Sequence, residues 1–172
     1  MWKRLLVPHD FSRCAAGALD LAIGLAEQGG GQILLVHVSP LPPNLPPDAQ
    51  VFAPGGSATP VSVDEMMVLG AYRELVAIAM PLEERGLSVL SFARLTESGS
   101  PAATILRMAE ELDADVIVLG THGRTGFTHL LLGSVAEQII RRARVPVVTV
   151  RSQDETSHPT REEALAEDEL AG

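Results

Sequence analysis

The sequence predicts an open, doubly wound α/β domain: a five-stranded, mostly parallel sheet with helices on both faces. Three observations predict it. Short, almost purely apolar runs punctuate the 172 residues. Segments of helical periodicity fill the intervals between them. The fourth apolar run passes directly into GTHGRTGFTHLLLGSVAEQ, residues 120–138, where glycine stands at 120, 123, 126 and 133. Strands that alternate with helices imply parallel pairing and right-handed crossovers.

The runs Arg4–Val7, Gln32–Val38, Val116–Leu119 and Val145–Val150 are apolar with little interruption, as strands covered on both faces must be. Leu87–Leu95 alternates in part and is a weaker fifth strand. Arg13–Gln28 is rich in Ala and Leu, with Ser12 placed to cap its start and Gly29 to end it. Asp64–Arg85 keeps helical period, although Gly70 and Pro81 weaken or kink it. Pro101–Leu112 has Ser100 before it and proline at the favoured first position. Val135–Ala143 follows Ser134. In the resulting β-α-β-α-β-α-β-α-β order, ligands are expected beyond the carboxyl ends of the strands, where the strand order reverses.

At 46% hydrophobic residues, the chain can bury the core of one domain, assigned to residues 1–151. Two stretches stand apart. Residues 39–62 hold seven of the twelve prolines and are read as a loop insertion, either a cover over the ligand crevice or a mobile insertion without a role. Residues 152–172 hold seven acids and one base, so this tail carries −6 of the total −9 and leaves −3 on the body. The tail reads as flexible, or partly helical over Arg161–Leu170 behind a capping box of Thr160 and Glu163. A nearly neutral body with an acidic tail argues against nucleic-acid binding, which needs a basic face. The single cysteine, Cys14, excludes an intramolecular disulfide and fits a reducing compartment. Neither a signal peptide nor an apolar run of membrane-spanning length is visible, so the expected location is cytoplasmic.

A strand, a glycine loop and a helix start are the parts of a phosphate cradle. Glycine lets backbone amides approach an anion, and the free amides and dipole of a helix start favour negative charge. The loop is neither a P-loop, since it has no lysine, nor the dinucleotide fingerprint, whose glycines follow the first strand. The residues also fit a purely structural reading. Ser134 with Glu137 matches a capping box, and Gly120 with Gly123 matches a turn.

The spacing of Gly120, Gly123, Gly133 and Ser134 resembles the glycine motif of nucleotide-binding universal stress proteins. The likeness runs from Met1 to about Arg151. It includes the opening KRLLVPHDFS, the second strand LLVHV, GSPAATIL, DADVIVLGTHGR and the ending VPVVTV. It implies a Rossmann-like sheet of the adenine nucleotide alpha hydrolase-like kind, with ATP as ligand and Mg²⁺ held by the phosphates. By that resemblance Pro8 and Asp10 would lie near base and ribose. Val38 would meet adenine through its main chain. Gly120, His122 and Gly123 would line ribose and phosphates, and Gly133, Ser134 and Val135 would bind phosphate oxygens. Asp10 also fits a turn residue ahead of Ser12.

His9, His37 and His122 fall at or near strand ends, but no paired ligand spacing accompanies them, and no metal site is predicted on the protein. His37 is expected to be a partly buried strand residue with a hydrogen-bond partner. No nucleophile–base–acid set stands out, so no catalytic residue is assigned. Three functions follow: an ATP-binding stress or signalling module with an unknown protein partner, an interaction module without nucleotide, or a slow ATP hydrolase. Val145–Val150 is expected at the sheet edge, where it would pair with its copy in a homodimer, as the resemblance also implies.

Overall fold

The computed structural model describes residues 1–40, 44, 46, 48–52, 60–96, 100–121 and 132–151. In chain order the elements are β1 Arg4–Pro8, α1 Arg13–Gly29, β2 Gln32–Ser39, β3 Gln50–Val51, β4 Val61–Ser62, α2 Val63–Glu84, β5 Ser88–Leu95, α3 Pro101–Glu111, β6 Val116–Gly120, α4 Ser134–Arg142 and β7 Val147–Val150. The main sheet has the order β5-β2-β1-β6-β7. Every neighbouring pair in it is parallel. This is the doubly wound α/β sheet that the alternation of runs predicts.

The two faces of the sheet use alternate residues of the same strands. Leu5 and Val7 of β1, with Ile33 and Leu35 of β2, pack under α1 and α2 in a cluster with Ala18, Ala22 and Leu75. Leu6, Leu34 and Val36 point the other way, against Ile105 and Met108 of α3 and Ile139 of α4. Both faces are therefore dry, which explains runs without polar alternation. Burying each such Leu or Ile stabilises the fold by about 1.5–3 kcal/mol. The start of the sheet is tied by Asp115, whose carboxylate accepts from the Lys3 and Arg4 amides at 2.7 and 2.8 Å.

Three local expectations need correction. Helix α1 includes Gly29 as its last residue, and the terminating glycine is Gly30, which takes the left-handed conformation, φ 62°, its amide closing on the Ala26 carbonyl at 2.7 Å. A left-handed cap suits glycine, and the second of the two glycines falls where the helical phase demands it. The last strand begins at Val147 rather than Val145, although the Pro146 carbonyl already accepts from the Ile117 amide. Proline has no amide to extend the ladder backwards. Helix α2, by contrast, runs through Pro81 to Glu84 much as its periodicity predicts, with the proline's own amide bond missing from the ladder. Ser134 is the first helical residue of α4 and not its cap; Gly133 holds that position, and no side chain caps the helix. Glu137, the other half of the expected capping box, instead bonds Arg141 one turn on, at 3.0 Å.

The described parts of the proline-rich segment include a small antiparallel pair, β3 with β4. This pair lies outside the main sheet, and it ends where the Val63 amide bonds the Ala49 carbonyl at the start of α2.

Candidate functional site

Strand order reverses between β1 and β6. From β1 the chain moves outward through β2 to β5; β6 lies on the other side and leads to β7. The carboxyl ends of β1, β2 and β6 therefore stand side by side, and the crevice of a doubly wound sheet opens above them. Pro8 and Asp10, Val38, and Gly120 are each at one of these ends. All four are half-buried, reachable from the crevice but held by the sheet.

The turn leaving β1 is held by several contacts. His9 extends the ladder, its amide donating to the Val36 carbonyl at 2.8 Å. Phe11 then adopts a left-handed backbone, φ 66°, a conformation costing a residue with a side chain about 1–2 kcal/mol. Three contacts hold it there. Its amide donates to His9 Nδ1 at 3.2 Å. Its ring meets the His9 ring edge-on at 5.4 Å and lies tilted over the His37 ring at 4.7 Å. His37 Nδ1 faces the His9 carbonyl at 2.7 Å, and a carbonyl only accepts, so the His37 proton sits on Nδ1. His9 Nδ1, by contrast, is an acceptor and carries no proton. Both imidazoles are buried, and burial pushes the His9 pKa below 6.5, with Asp10 pulling it up and His37 pushing it further down. His37 is thus the hydrogen-bonded strand residue expected of it.

Around this turn Asp10 Oδ1 accepts from the Ser12 amide at 3.1 Å, and Ser12 Oγ accepts from the Ala15 amide at 3.2 Å. Ser12 caps α1 as expected. Asp10 does the work of a turn residue.

At the end of β6, Gly120 has a reason for being glycine that lies below the crevice. A Cβ there would come within 2.8 Å of both the carbonyl carbon and Sγ of Cys14, and within 2.9 Å of the Cys14 carbonyl oxygen. The absent side chain is what lets the first turn of α1 lie against β6. Cys14 Sγ in turn donates to the Val150 carbonyl at 3.2 Å, which also accepts from the Thr121 amide at 2.9 Å. Thr121 is buried, and its own carbonyl accepts from the Gly133 amide at 2.7 Å. That bond closes the base of the glycine segment, so residues 121 and 133 meet although twelve positions separate them.

The Gly133 amide is therefore committed to the fold. The amides at the start of α4 are left to Ser134 and Val135, with Ser134 exposed and Val135 half-buried. Gly133 has φ −69°, an extended conformation open to any residue. His122 and Gly123, with Arg124 and His129, lie outside the described residues. Of the predicted site, the structure brings Pro8, Asp10, Val38, Gly120, Gly133, Ser134 and Val135 to one edge of the sheet. Sequence reasoning missed Phe11, Cys14 and Thr121, which shape that edge. No local signal in the sequence marked any of the three for this role.

Two surface hollows lie elsewhere. One, of about 330 Å³, is bounded by Met1, Trp2 and Leu25, and another, of about 310 Å³, by Leu106, Ile117 and Val145. Both are away from the carboxyl ends of the strands. Among the described residues no cluster of three or more His, Cys, Asp or Glu is arranged to hold a metal ion. No helix among them is long and apolar enough to cross a membrane.

Comparison with known proteins gives one consistent answer. The profile described as Universal stress protein family matches residues 1–151. Universal stress protein MJ0531 of Methanocaldococcus jannaschii is 31% identical over 151 residues, covering 88% of this chain and 83% of its own length. Universal stress protein MJ0577 of the same organism is 28% identical over 161 residues, 90% of this chain and 98% of its own. The solved structure of MJ0577 superimposes with a TM-score of 0.68, at 25% identity, over 89% of this chain and 98% of that one. The universal stress protein of Archaeoglobus fulgidus in complex with dAMP shares the fold at a TM-score of 0.56 and 23% identity, over 87% of this chain and 98% of that chain.

Proposed function

The chain belongs to the universal stress protein family, and from that premise we propose that it is an adenine-nucleotide-binding regulatory protein, with ATP as the ligand. The carrying observation is the start of α4. This helix opens beside the switch point, behind a glycine segment, with no side chain capping it. Uncapped amides and the positive end of the helix dipole together suit a phosphate. Ser134 and Val135 would supply amides and a hydroxyl to phosphate oxygens. Gly133 would contribute by closing the loop base on Thr121, and Gly120 by bringing β6 close to α1. Pro8 and Asp10 would face base and ribose, and Val38 would meet adenine through its main chain. His122 and Gly123 complete the assignment, along the ribose and phosphates. Mg²⁺ would be carried by the phosphates and not by a protein ligand set. That an A. fulgidus protein of this fold is found with dAMP is in keeping with a site for one adenine mononucleotide.

In this reading nucleotide occupancy alters contacts with a protein partner, and hydrolysis is at most slow. The protein acts in the cytoplasm as a homodimer paired through Val145–Val150, since β7 is an edge of the main sheet. The proline-rich segment, which leaves β2 beside Val38, would govern access to the site. Mass spectrometry of small molecules released from the purified protein on mild denaturation tests the proposal. An adenine nucleotide at near one per chain supports it, and protein that is free of nucleotide and cannot be loaded refutes it.

A further inference from the structure

The turn after β1 contains a buried imidazole with a definite protonation state. His9 Nδ1 accepts from the Phe11 amide, and Phe11 sits in a backbone region that side chains disfavour. The same turn carries Asp10, which braces Ser12 at the start of α1. We propose that His9 is a positioning residue for the nucleoside end of the site: its unprotonated Nδ1 holds the left-handed turn at Phe11 that presents Asp10, and protonation of the ring opens that turn and loosens the ligand. The inference rests on the nucleotide-binding reading for its ligand, but the latch itself belongs to the protein alone.

The chemistry is direct. A protonated imidazole carries hydrogen on both nitrogens, so Nδ1–H would face the Phe11 N–H, donor against donor. The bond that compensates the left-handed backbone would become a repulsion. Of the two other restraints on Phe11, the edge-on contact depends on the same ring staying in place, and the His37 ring alone would remain against it. His37 cannot substitute, because its Nδ1 proton is committed to the His9 carbonyl.

Among the described residues the charged neighbours are few. On the same turn Asp10 favours the proton, and from β2 His37 opposes it. On the first turn of α1, Arg13 is exposed and the Cys14 thiol is bonded to the Val150 carbonyl. At the start of α2, the Asp64 carboxylate is taken by Ser62 and the Glu65 amide, and Glu65 is exposed. Burial is the largest influence on the ring and keeps it neutral at neutral pH. The latch is closed there and opens on acidification below 6.5, as pH falls through the lowered value.

The test uses the full chain and two variants. In His9→Asn the side-chain oxygen replaces Nδ1 as acceptor but does not titrate; in His9→Leu no acceptor remains. Calorimetric titration with ATP gives affinity against pH, and the two-bond ¹⁵N shifts of His9 with the Phe11 and Asp10 amide shifts report the latch without nucleotide. In the wild type, affinity is expected to fall by about threefold or more between about pH 7.5 and about pH 5, because one coupled proton can change affinity by up to about tenfold per pH unit. His9→Asn should bind and show a flatter profile. His9→Leu should bind more weakly than His9→Asn throughout. The phosphate of ATP titrates equally in all three, so the difference between profiles isolates the ring. The Phe11 and Asp10 amides should titrate with the His9 ring in the wild type. Equal slopes in wild type and His9→Asn, or a ring that titrates without moving Phe11, would overturn the latch. Amide shifts that follow His9 in a protein giving no ATP heat at any pH would instead overturn the nucleotide reading on which the inference rests.

Discussion

Replacing Gly120 by alanine should destabilise the whole domain, although the residue borders the proposed ligand crevice. The added Cβ would stand 2.8 Å from the Cys14 carbonyl carbon, 2.8 Å from Sγ and 2.9 Å from the carbonyl oxygen. Carbon atoms pack favourably at about 3.5–4.0 Å, so the first turn of α1 must retreat by roughly 1 Å. Overpacking of this kind typically costs about 1–3 kcal/mol. For a domain of this size each kcal/mol lowers Tm by about 2–4 °C, so the expected drop is about 2–12 °C. Two of the three close contacts are backbone atoms and cannot be trimmed. The double variant Gly120→Ala with Cys14→Ala should therefore recover only part of the loss relative to Cys14→Ala alone. Thermal melts and urea titrations of the four proteins provide the cycle. Because α1 begins just after Asp10, the retreat should also weaken nucleotide binding. A Gly120→Ala protein of unchanged stability, or complete rescue by Cys14→Ala, would refute the packing account of this glycine.

Other consequences are smaller. Ser134→Ala should change stability by less than about 0.5 kcal/mol, because Gly133 caps α4 and no serine cap is lost, while ATP affinity should fall by the worth of one hydroxyl contact; a marked loss of Tm would restore the capping role. Thr149→Pro should leave a folded monomer in light scattering. The Pro146 and Val150 carbonyls accept from β6, so the alternate residues of β7 turn their amides outward, and Thr149 is exposed. An intact dimer would show that β7 is not the interface. Asp115→Asn should flatten the acid limb of the stability curve. The Lys3 and Arg4 amides hold the Asp115 carboxyl below its ordinary 3.8, so its contribution is present above that value and lost as pH falls through the lowered one. Identical acid unfolding of wild type and variant would count against this.

Much of the architecture was legible because buried parallel strands leave a strong signature. Leu5, Leu6 and Val7 are all fully buried, on opposite faces of one sheet, and no polar residue is tolerated among them. β5 read weakly for the opposite reason. It is an edge strand, with Leu90 and Ser88 exposed, and edge strands admit polar residues. Element ends were less legible than elements, because tertiary contacts choose among adjacent candidates. Gly29 and Gly30 offer the same chemistry, and the phase of α1 selects the second. Ser134 is a better intrinsic cap than Gly133. The bond from Gly133 to the Thr121 carbonyl fixes where the chain enters α4 and overrides that preference.

The site was legible as positions more than as roles. Strand ends and the glycine spacing located Pro8, Asp10, Val38, Gly120 and Ser134 on one edge. The reason Gly120 lacks a side chain was hidden, since it depends on Cys14, more than a hundred positions away. Phe11 gave no local warning either. An aromatic residue is a poor candidate for a left-handed backbone, and only the contact with His9 and His37 explains it. Ion pairs such as Arg85 with Glu27 and Arg94 with Glu111 join exposed side chains, add little to stability and take no part in the site.

The central claim is that the edge formed by β1, β2, β6 and the start of α4 binds an adenine nucleotide. Calorimetric titration of ATP with Mg²⁺ into nucleotide-free protein, paired with thermal melts in the same buffer, tests it most directly. One ATP is expected per chain, and a ligand at a hundred times its Kd adds about 2.7 kcal/mol, which should raise Tm by about 5–10 °C. No heat and no change in Tm at millimolar ATP would contradict the account and leave an interaction module built on the same sheet.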